Sequence, residues 1–543
     1  MSSLQQLETV ILLLMAVLAL TTIARKLVIP YPILLVIGGL ALVFIPGLPV
    51  IHLDPDLVFL VFLPPILSAA AYVTSWRDFR ANLRPITLHA VGLVLVTTAA
   101  VAVAAHAALP GLGWAGAIAL GAIVSPPDAV STTAIGKQLH LPHRVLTILE
   151  GESLVNDATA LVLYRAAIAA TVSGAFVLSD TLLAFVLAGA VGIAIGLIVS
   201  FVTRWILILT KDSFSEIAIT LLAPYIAWVL AEQAHGSAVL ACVAGGFYLR
   251  RHLSTAVAPS TRIQARAVWE FLVFLLNGLI FILIGLQLGT LRDAVPSGEL
   301  DVLILVGALV SVTAIVVRLL WVAAAAWVPR LVSPRLQAHD QMPPWSNLFI
   351  IGWAGMRGIV SLAAAMALPL TTAAGTPFPF RAEIILIAFM VILVTLVLQG
   401  LSLPLLIRAL KIREDRGHTD EERQAREQAA SAALARLEEM ASENWPVPEQ
   451  IERMRDHYRS RLRRSAVSET IDPEWSPEAA EAYRRLRHET LTAERLAAIR
   501  FRNDGVISDE VLHRLEHELD VEALRAGVGE LRVSPEKRPR KNH

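Results

Sequence analysis

The sequence predicts an all-α membrane protein, with about thirteen transmembrane helices over residues 1–410 and a helical cytoplasmic tail over 411–543. Three observations predict it. The chain is 55% hydrophobic with a mean hydropathy of +0.62, and apolar runs of the roughly 18–20 residues that span a bilayer recur along it. The net charge of +0 averages two unlike regions: residues 411–543 hold 25 Lys and Arg and 28 Asp and Glu, which leaves 21 and 18 for the much longer first region. Within that first region, basic residues gather in every second loop.

The spans follow in order at 5–24, 28–46, 56–74, 86–109, 113–135, 145–170, 181–203, 214–233, 237–250, 268–289, 301–326, 346–369 and 383–407. The first is a span and not a cleaved leader, because "MSSLQQLETV" has no basic start and Arg25 and Lys26 follow the apolar run. The ninth, "SAVLACVAGGFYLRR", is the shortest, and it carries the single cysteine, Cys242, which can form no internal disulfide and reads as a small buried residue. Loops taken alternately from the first hold Arg25, Lys26, Arg77, Arg80, Arg84, Lys137, Arg144, Arg204, Lys211, Arg250, Arg251, Arg262, Arg266, Arg330, Arg335 and Arg408. The intervening loops hold only Arg292 and Arg381. Positive charge marks the cytoplasmic side, so the N-terminus is outside and the tail inside.

Spans five and twelve are interrupted. The fifth carries "IVSPPDAVSTTAIG", where Pro126 and Pro127 remove backbone donors and clash with the preceding turn. The twelfth carries "IGWAGMRGIVSLAAAMALP", with Gly352, Gly355 and Gly358 close together. The two lie seven positions apart in the order of spans, an odd number, so they cross in opposite directions, and spans one to six and eight to thirteen form two inverted six-helix repeats around the seventh. Breaks at matching positions of two halves point to a transporter's midplane site. Asp128 falls at the N-terminus of the second half of span five, and Arg357 near the C-terminal end of the first half of span twelve, the ends that favour those charges. A plain packing kink leaves the charges at both breaks without a purpose.

Span six carries "EGESLVNDATALVLYR". Helical spacing puts Ser153, Asn156 and Asp157 on one face, with Glu150 on the same face two turns before Asp157. Asp157 falls at the middle of its span, where an unpaired carboxylate costs about 3 kcal/mol or more. Such a group pairs, coordinates a cation, or takes a proton. Alternation between the last two makes a competitive site for a proton or a dehydrated monovalent cation, with Asp157 and Asp128 as its charged ligands. Asn156, Ser153 and carbonyls freed at the break of span five complete an all-oxygen set suited to a hard cation. Pairing with Arg357 is the structural alternative, but one arginine cannot satisfy Asp128, Glu152 and Asp157 together.

"SPPDAV", "LEGESLVNDATALVLY" and "GMRGIVSLAAAMALP" together resemble the monovalent cation/proton antiporters, in the bacterial sodium/proton exchanger branch. The likeness covers about residues 5–410. It implies a secondary active antiporter of the cell (inner) membrane that exchanges Na⁺ for protons, with Li⁺ or K⁺ as other cations and a K⁺/H⁺ antiporter as the alternative. It implies that Asp157 carries ion and proton, that Asn156 stands where electrogenic relatives have a second aspartate and so favours electroneutral exchange, that Asp128 is the acid of the unwound span, and that Ser153 helps coordinate the cation. It also implies a Glu152–Arg357 pair across spans six and twelve, and a homodimer in which a core bundle moves against a dimer bundle. The chain departs from the family at Ala129, where many members have proline after the aspartate.

Other charged and polar residues read more simply. Glu150 and Arg165 sit toward the two ends of span six, and Arg318, deep in span eleven, needs a partner. Asn277, Gln287 and Gln399 suit interhelical hydrogen bonds. In the tail, Ser508 is an N-cap, and His513 and His517 lie one turn apart without a third ligand, which suits a solvated face better than a metal. The cluster "RSRLRRS" suits anionic lipid or another chain; nucleic-acid binding is disfavoured by the acidic balance and few aromatics. No phosphate loop, filter sequence or Ser/His constellation within the spans supports an ATP-driven pump, a channel or an enzyme, and no cofactor is implied.

Overall fold

The computed structural model describes residues 3–27, 29–44, 58–128, 131–133, 136, 141–173, 178–294, 300–332, 342–372, 375–412, 416–443, 447–466, 477–504, 506, 511, 515 and 518–523. The chain divides into two compact units, Met1–Glu414 and Asp415–His543. Among the described residues there is no strand beyond an isolated bridge between Thr371 and Pro377.

The first unit is a set of helices: α1 Ser3–Leu27, α2 Tyr31–Leu42, α3 Val58–Val73, α4 Trp76–Ala81, α5 Leu83–Ala108, α6 Trp114–Val124, α7 His143–Ser173, α8 Leu178–Leu209, α9 Ser213–Gln233, α10 Ala238–Ala256, α11 Pro259–Ala294, α12 Leu300–Val332, α13 Trp345–Trp353, α14 Ile359–Met366 and α15 Arg381–Ala409. Every segment expected to span contains a helix. Seven described helices are long and apolar enough to cross a membrane: those within α1, α5, α8, α9, α11, α12 and α15. The other expected spans are short (α2, α3), carry the basic pair Arg250–Arg251 (α10), carry several charges (α7), or are interrupted (α6 and α13–α14).

Local chemistry sets the helix ends. The Asp212 carboxylate accepts the Ser215 N–H at 2.8 Å and the Ser237 hydroxyl accepts that of Leu240 at 3.3 Å, capping α9 and α10. His235 takes a left-handed backbone (φ 55°) in the turn between them. α11 starts nine residues before its expected span, and the Arg266–Glu270 pair at 2.7 Å supports that solvated extension. Helix α4 was read from sequence as loop; Ser75 caps it, and the stacked rings of Trp76 and Phe79, with Phe247 of α10 against both, hold it down.

Without a hydrophobic force between helices in lipid, small residues at the contacts decide the packing. Gly39 of α2 faces Gly285 of α11, and a Cβ on Gly285 would lie 2.8 Å from the Gly39 Cα. Gly192 and Gly196 of α8 bear directly on the Ser237 and Ala241 carbonyls of α10. α8 also exposes Val186, Ile198, Phe201 and Trp205, an apolar surface.

The second unit holds α16 Arg416–Ala441, α17 Pro448–Ala466 and α18 Pro477–Asn503. Arg455 of α17 donates two hydrogen bonds of 2.8 Å to Glu438 of α16, and Leu491 packs with Leu519 and Ala523. Ser508, His513 and His517 lie outside the described residues.

Gly285→Ala should destabilise the transmembrane unit by about 1–3 kcal/mol, because the backbone cannot yield to the added methyl. Gly189→Ala, whose Cβ would meet only Leu240 Cδ1 at 3.6 Å, should be neutral or slightly stabilising. Thermal unfolding of the detergent-solubilised variants checks the contrast.

Candidate functional site

The site is built where two interrupted helices cross. α6 stops at Val124 because Pro126 and Pro127 offer no N–H, and helix resumes at residues 131–133. α13 stops at Trp353, residues 354–358 are unwound, and α14 begins at Ile359. Each break satisfies the other. The Asp128 N–H donates to the Met356 carbonyl at 2.6 Å, and the Thr132 hydroxyl donates to the Asp128 and Ala354 carbonyls at 3.0 and 3.3 Å. The Arg357 guanidinium donates to Val124 O at 2.9 Å and Gly355 O at 2.5 Å, and the Arg357 backbone N–H donates to the Thr395 hydroxyl at 3.2 Å. One buried cation thus serves the carbonyl ends of α6 and α13, where the helix dipoles are negative.

Asp128 sits at the opposite kind of end. Its carboxylate accepts the Ser131 N–H at 2.9 Å and the Ser131 hydroxyl at 2.7 Å, an N-cap for the resumed helix. Gly358 is required beside it: a Cβ there would fall 2.6 Å from the Asp128 Cγ.

Helix α7 passes this crossing. Asn156, fully buried, donates to the Pro127 carbonyl at 3.2 Å, while its Oδ1 has no hydrogen-bond partner among the described residues. Asp157, 8% exposed, follows it, and Ser153 lies buried one turn earlier. The Asp128 charge acts on the Asp157 carboxylate, and among the described residues no basic group pairs with Asp157. The crossing therefore sets the Asp128 and Asp157 carboxylates within each other's electrostatic field, with Asn156 bonded to the break in the fifth apolar segment. Among the described residues no group of three or more His, Cys, Asp or Glu is placed to bind a metal.

The Glu152–Arg357 pair expected from the family resemblance does not form. Glu152 is bonded instead to Arg318 of α12, with Nη1–Oε1 at 2.5 Å and Nη2–Oε2 at 3.0 Å, both side chains fully buried. Arg318 also donates to Ile351 O at 3.3 and 3.1 Å, tying α7, α12 and α13 together. The physical reason is that Arg357 is committed to the helix-end carbonyls, while a bidentate guanidinium on α12 meets the carboxylate fork squarely. Sequence reasoning noted that Arg318 needed a partner but not which one.

Glu150 accepts from Thr74 at 3.4 Å at the other end of α7's charged face. Nearby, His143 at the start of α7 contacts Asp78 of α4 at 3.0 Å. Burial pulls the Asp78 carboxyl up, but hydrogen bonds from His143 and Ser75, with the charges of His143 and Arg77, outweigh it and hold the carboxyl below its ordinary value. The amide of Gln399 and the Oδ1 of Asn277 have no hydrogen-bond partner among the described residues, so Gln399 does not link helices as expected. Thr395, Ser131 and Thr132 were missed from sequence; the Ser-Thr-Thr run behind Asp128 was the available signal, whereas nothing local marks Thr395.

The sequence profile described as sodium/hydrogen exchanger, transmembrane, matches residues 11–409. The chain belongs to the sodium/hydrogen exchanger family. It is a multi-pass membrane protein of the monovalent cation/proton antiporter class. It is 34% identical over 526 residues, 96% of either chain, to an uncharacterised Na(+)/H(+) exchanger of Mycobacterium tuberculosis. It is 34% identical over 410 residues to a sodium, potassium, lithium and rubidium/H(+) antiporter of Bacillus pumilus, covering 73% of this chain and 60% of that one. The sodium proton antiporter MjNhaP1 from Methanocaldococcus jannaschii shares its fold, with a TM-score of 0.57 at 19% identity over 75% of this chain and 99% of that one.

Arg318→Gln should cost about 3–5 kcal/mol by leaving Glu152 charged and alone in the interior. The double variant Glu152→Gln with Arg318→Gln should recover a large part of that loss. Thermal unfolding of the single and double variants reads the difference, and equal losses would contradict the assignment.

Proposed function

We propose that this exchanger moves Na⁺ against H⁺ by alternating access, with Asp157 as the carboxylate that holds either one cation or one proton. The observation that carries the reading is a buried Asp157 with no basic partner among the described residues, in the electrostatic field of Asp128 and next in sequence to Asn156, whose Oδ1 has no partner among them either. Asp128 and Ser153 join the cation's ligand shell, and the Glu152–Arg318 pair holds α7 in register with α12 and α13. One carboxylate in the Asn156–Asp157 pair supports electroneutral exchange of one monovalent cation for one proton. Breaks in the fifth and twelfth apolar segments support thirteen spans in two inverted repeats, and the loop charges support an inner-membrane orientation with the N-terminus outside and the tail in the cytoplasm. K⁺ is the second cation to test, because the Bacillus pumilus relative is named for it as well.

Asp157→Asn should abolish cation-driven proton flux in proteoliposomes while the protein stays folded. In the unaltered protein the flux should respond to Na⁺ and Li⁺ and be indifferent to a clamped membrane potential. Undiminished flux in Asp157→Asn defeats the reading, and a potential-dependent rate defeats electroneutrality.

A further inference from the structure

A cation arriving from the outer side must reach Asp157 past the outer half of α7. A crevice of about 30 Å³ lies there, between α7 and the corner where α9 turns into α10. Its lining includes Ala158, the residue next to Asp157, and the apolar side chains of Leu161, Val162, Trp228 and Val239. That volume holds only a water or two, and apolar walls hold them poorly, so the crevice is shut to a hydrated ion. Arg165 of α7 and Glu232 of α9 also line it. The Arg165 Nη2 donates to both Glu232 carboxylate oxygens, at 2.9 and 3.2 Å. Arg165 is two helical turns beyond Asp157, roughly 12 Å along the axis.

The pair is poorly suited to a stabilising role. Its side chains are 60% and 40% exposed, and ion pairs that wet contribute only about 0.2–1 kcal/mol. A weak bond across two helices is what a closure needs if it must open in every cycle. Its polarity also fits the cargo. While Arg165 holds Glu232, the mouth presents no net charge; once the helices part, Glu232 presents a free carboxylate above a path that ends beside Asp157.

We propose that this crevice is the outer entrance to the Asp157 site, and that Glu232 first receives a monovalent cation when its bond to Arg165 opens. The proposal rests on Asp157 being the exchanging carboxylate. In membrane vesicles of known orientation, Glu232→Gln should raise KM for Na⁺ supplied at the outer face by about threefold to fivefold, the range an exposed charge supports, with no rise for Na⁺ supplied at the cytoplasmic face. Arg165→Cys combined with Glu232→Cys, bridged by a short reducible bifunctional thiol reagent, should stop exchange until the bridge is reduced. The single native cysteine, Cys242, is buried in α10 and does not compete. A KM that rises equally at both faces, or at neither, overturns the proposal, as does a bridged protein that exchanges at the unbridged rate. Each of those results is compatible with Asp157-dependent exchange, so the test separates the entrance from the function it serves.

Discussion

Two interrupted helices can lie inside a membrane only if their freed peptide groups find partners within the protein, and the rest of this molecule depends on how that is done. The break after Val124 and the break after Trp353 exchange hydrogen bonds directly, Asp128 N–H to Met356 O. Arg357 then gathers the carbonyl ends of both half-helices. Because the backbone is satisfied in this way, Arg357 is occupied, and α7 can bring Asp157 to the crossing without neutralising it. Had Arg357 served instead as a counter-ion to Asp157, it would have neutralised that carboxylate and left the helix-end carbonyls unpaired.

The second consequence is a division of labour among the acids. Glu152 is fully buried and bonded at both oxygens to Arg318, so it is fixed and structural. Asp128 caps the resumed helix through Ser131 and shapes the field at the crossing. Asp157 is left without a basic partner among the described residues. Three carboxylates within one helix and one break thus have three environments, and it is the partners that set them apart.

Much of this was legible in the residues. The Pro126–Pro127 pair and the three glycines from Gly352 to Gly358 marked both breaks, because those residues act through their own backbone. The helix face of Ser153, Asn156 and Asp157 followed from spacing alone. What sequence could not reveal was tertiary choice: which arginine meets Glu152 depends on how α12 packs across α7, a relation with no local signature. The closing of Gly358 onto Asp128 is of the same kind, since the two lie far apart in the chain. Helix α4 was hidden for another reason, being too short for periodicity to reveal although Ser75 supplied the cap.

The central claim is that proton and cation exclude one another at Asp157. Calorimetric titration of the purified protein with Na⁺, repeated in buffers of different ionisation enthalpy, counts the protons released as the cation binds. Competition at a single carboxylate predicts that, below the pH at which the free site has lost its proton, about one proton leaves for each Na⁺ bound. Sodium binding with no proton release across the pH range in which exchange runs would contradict it.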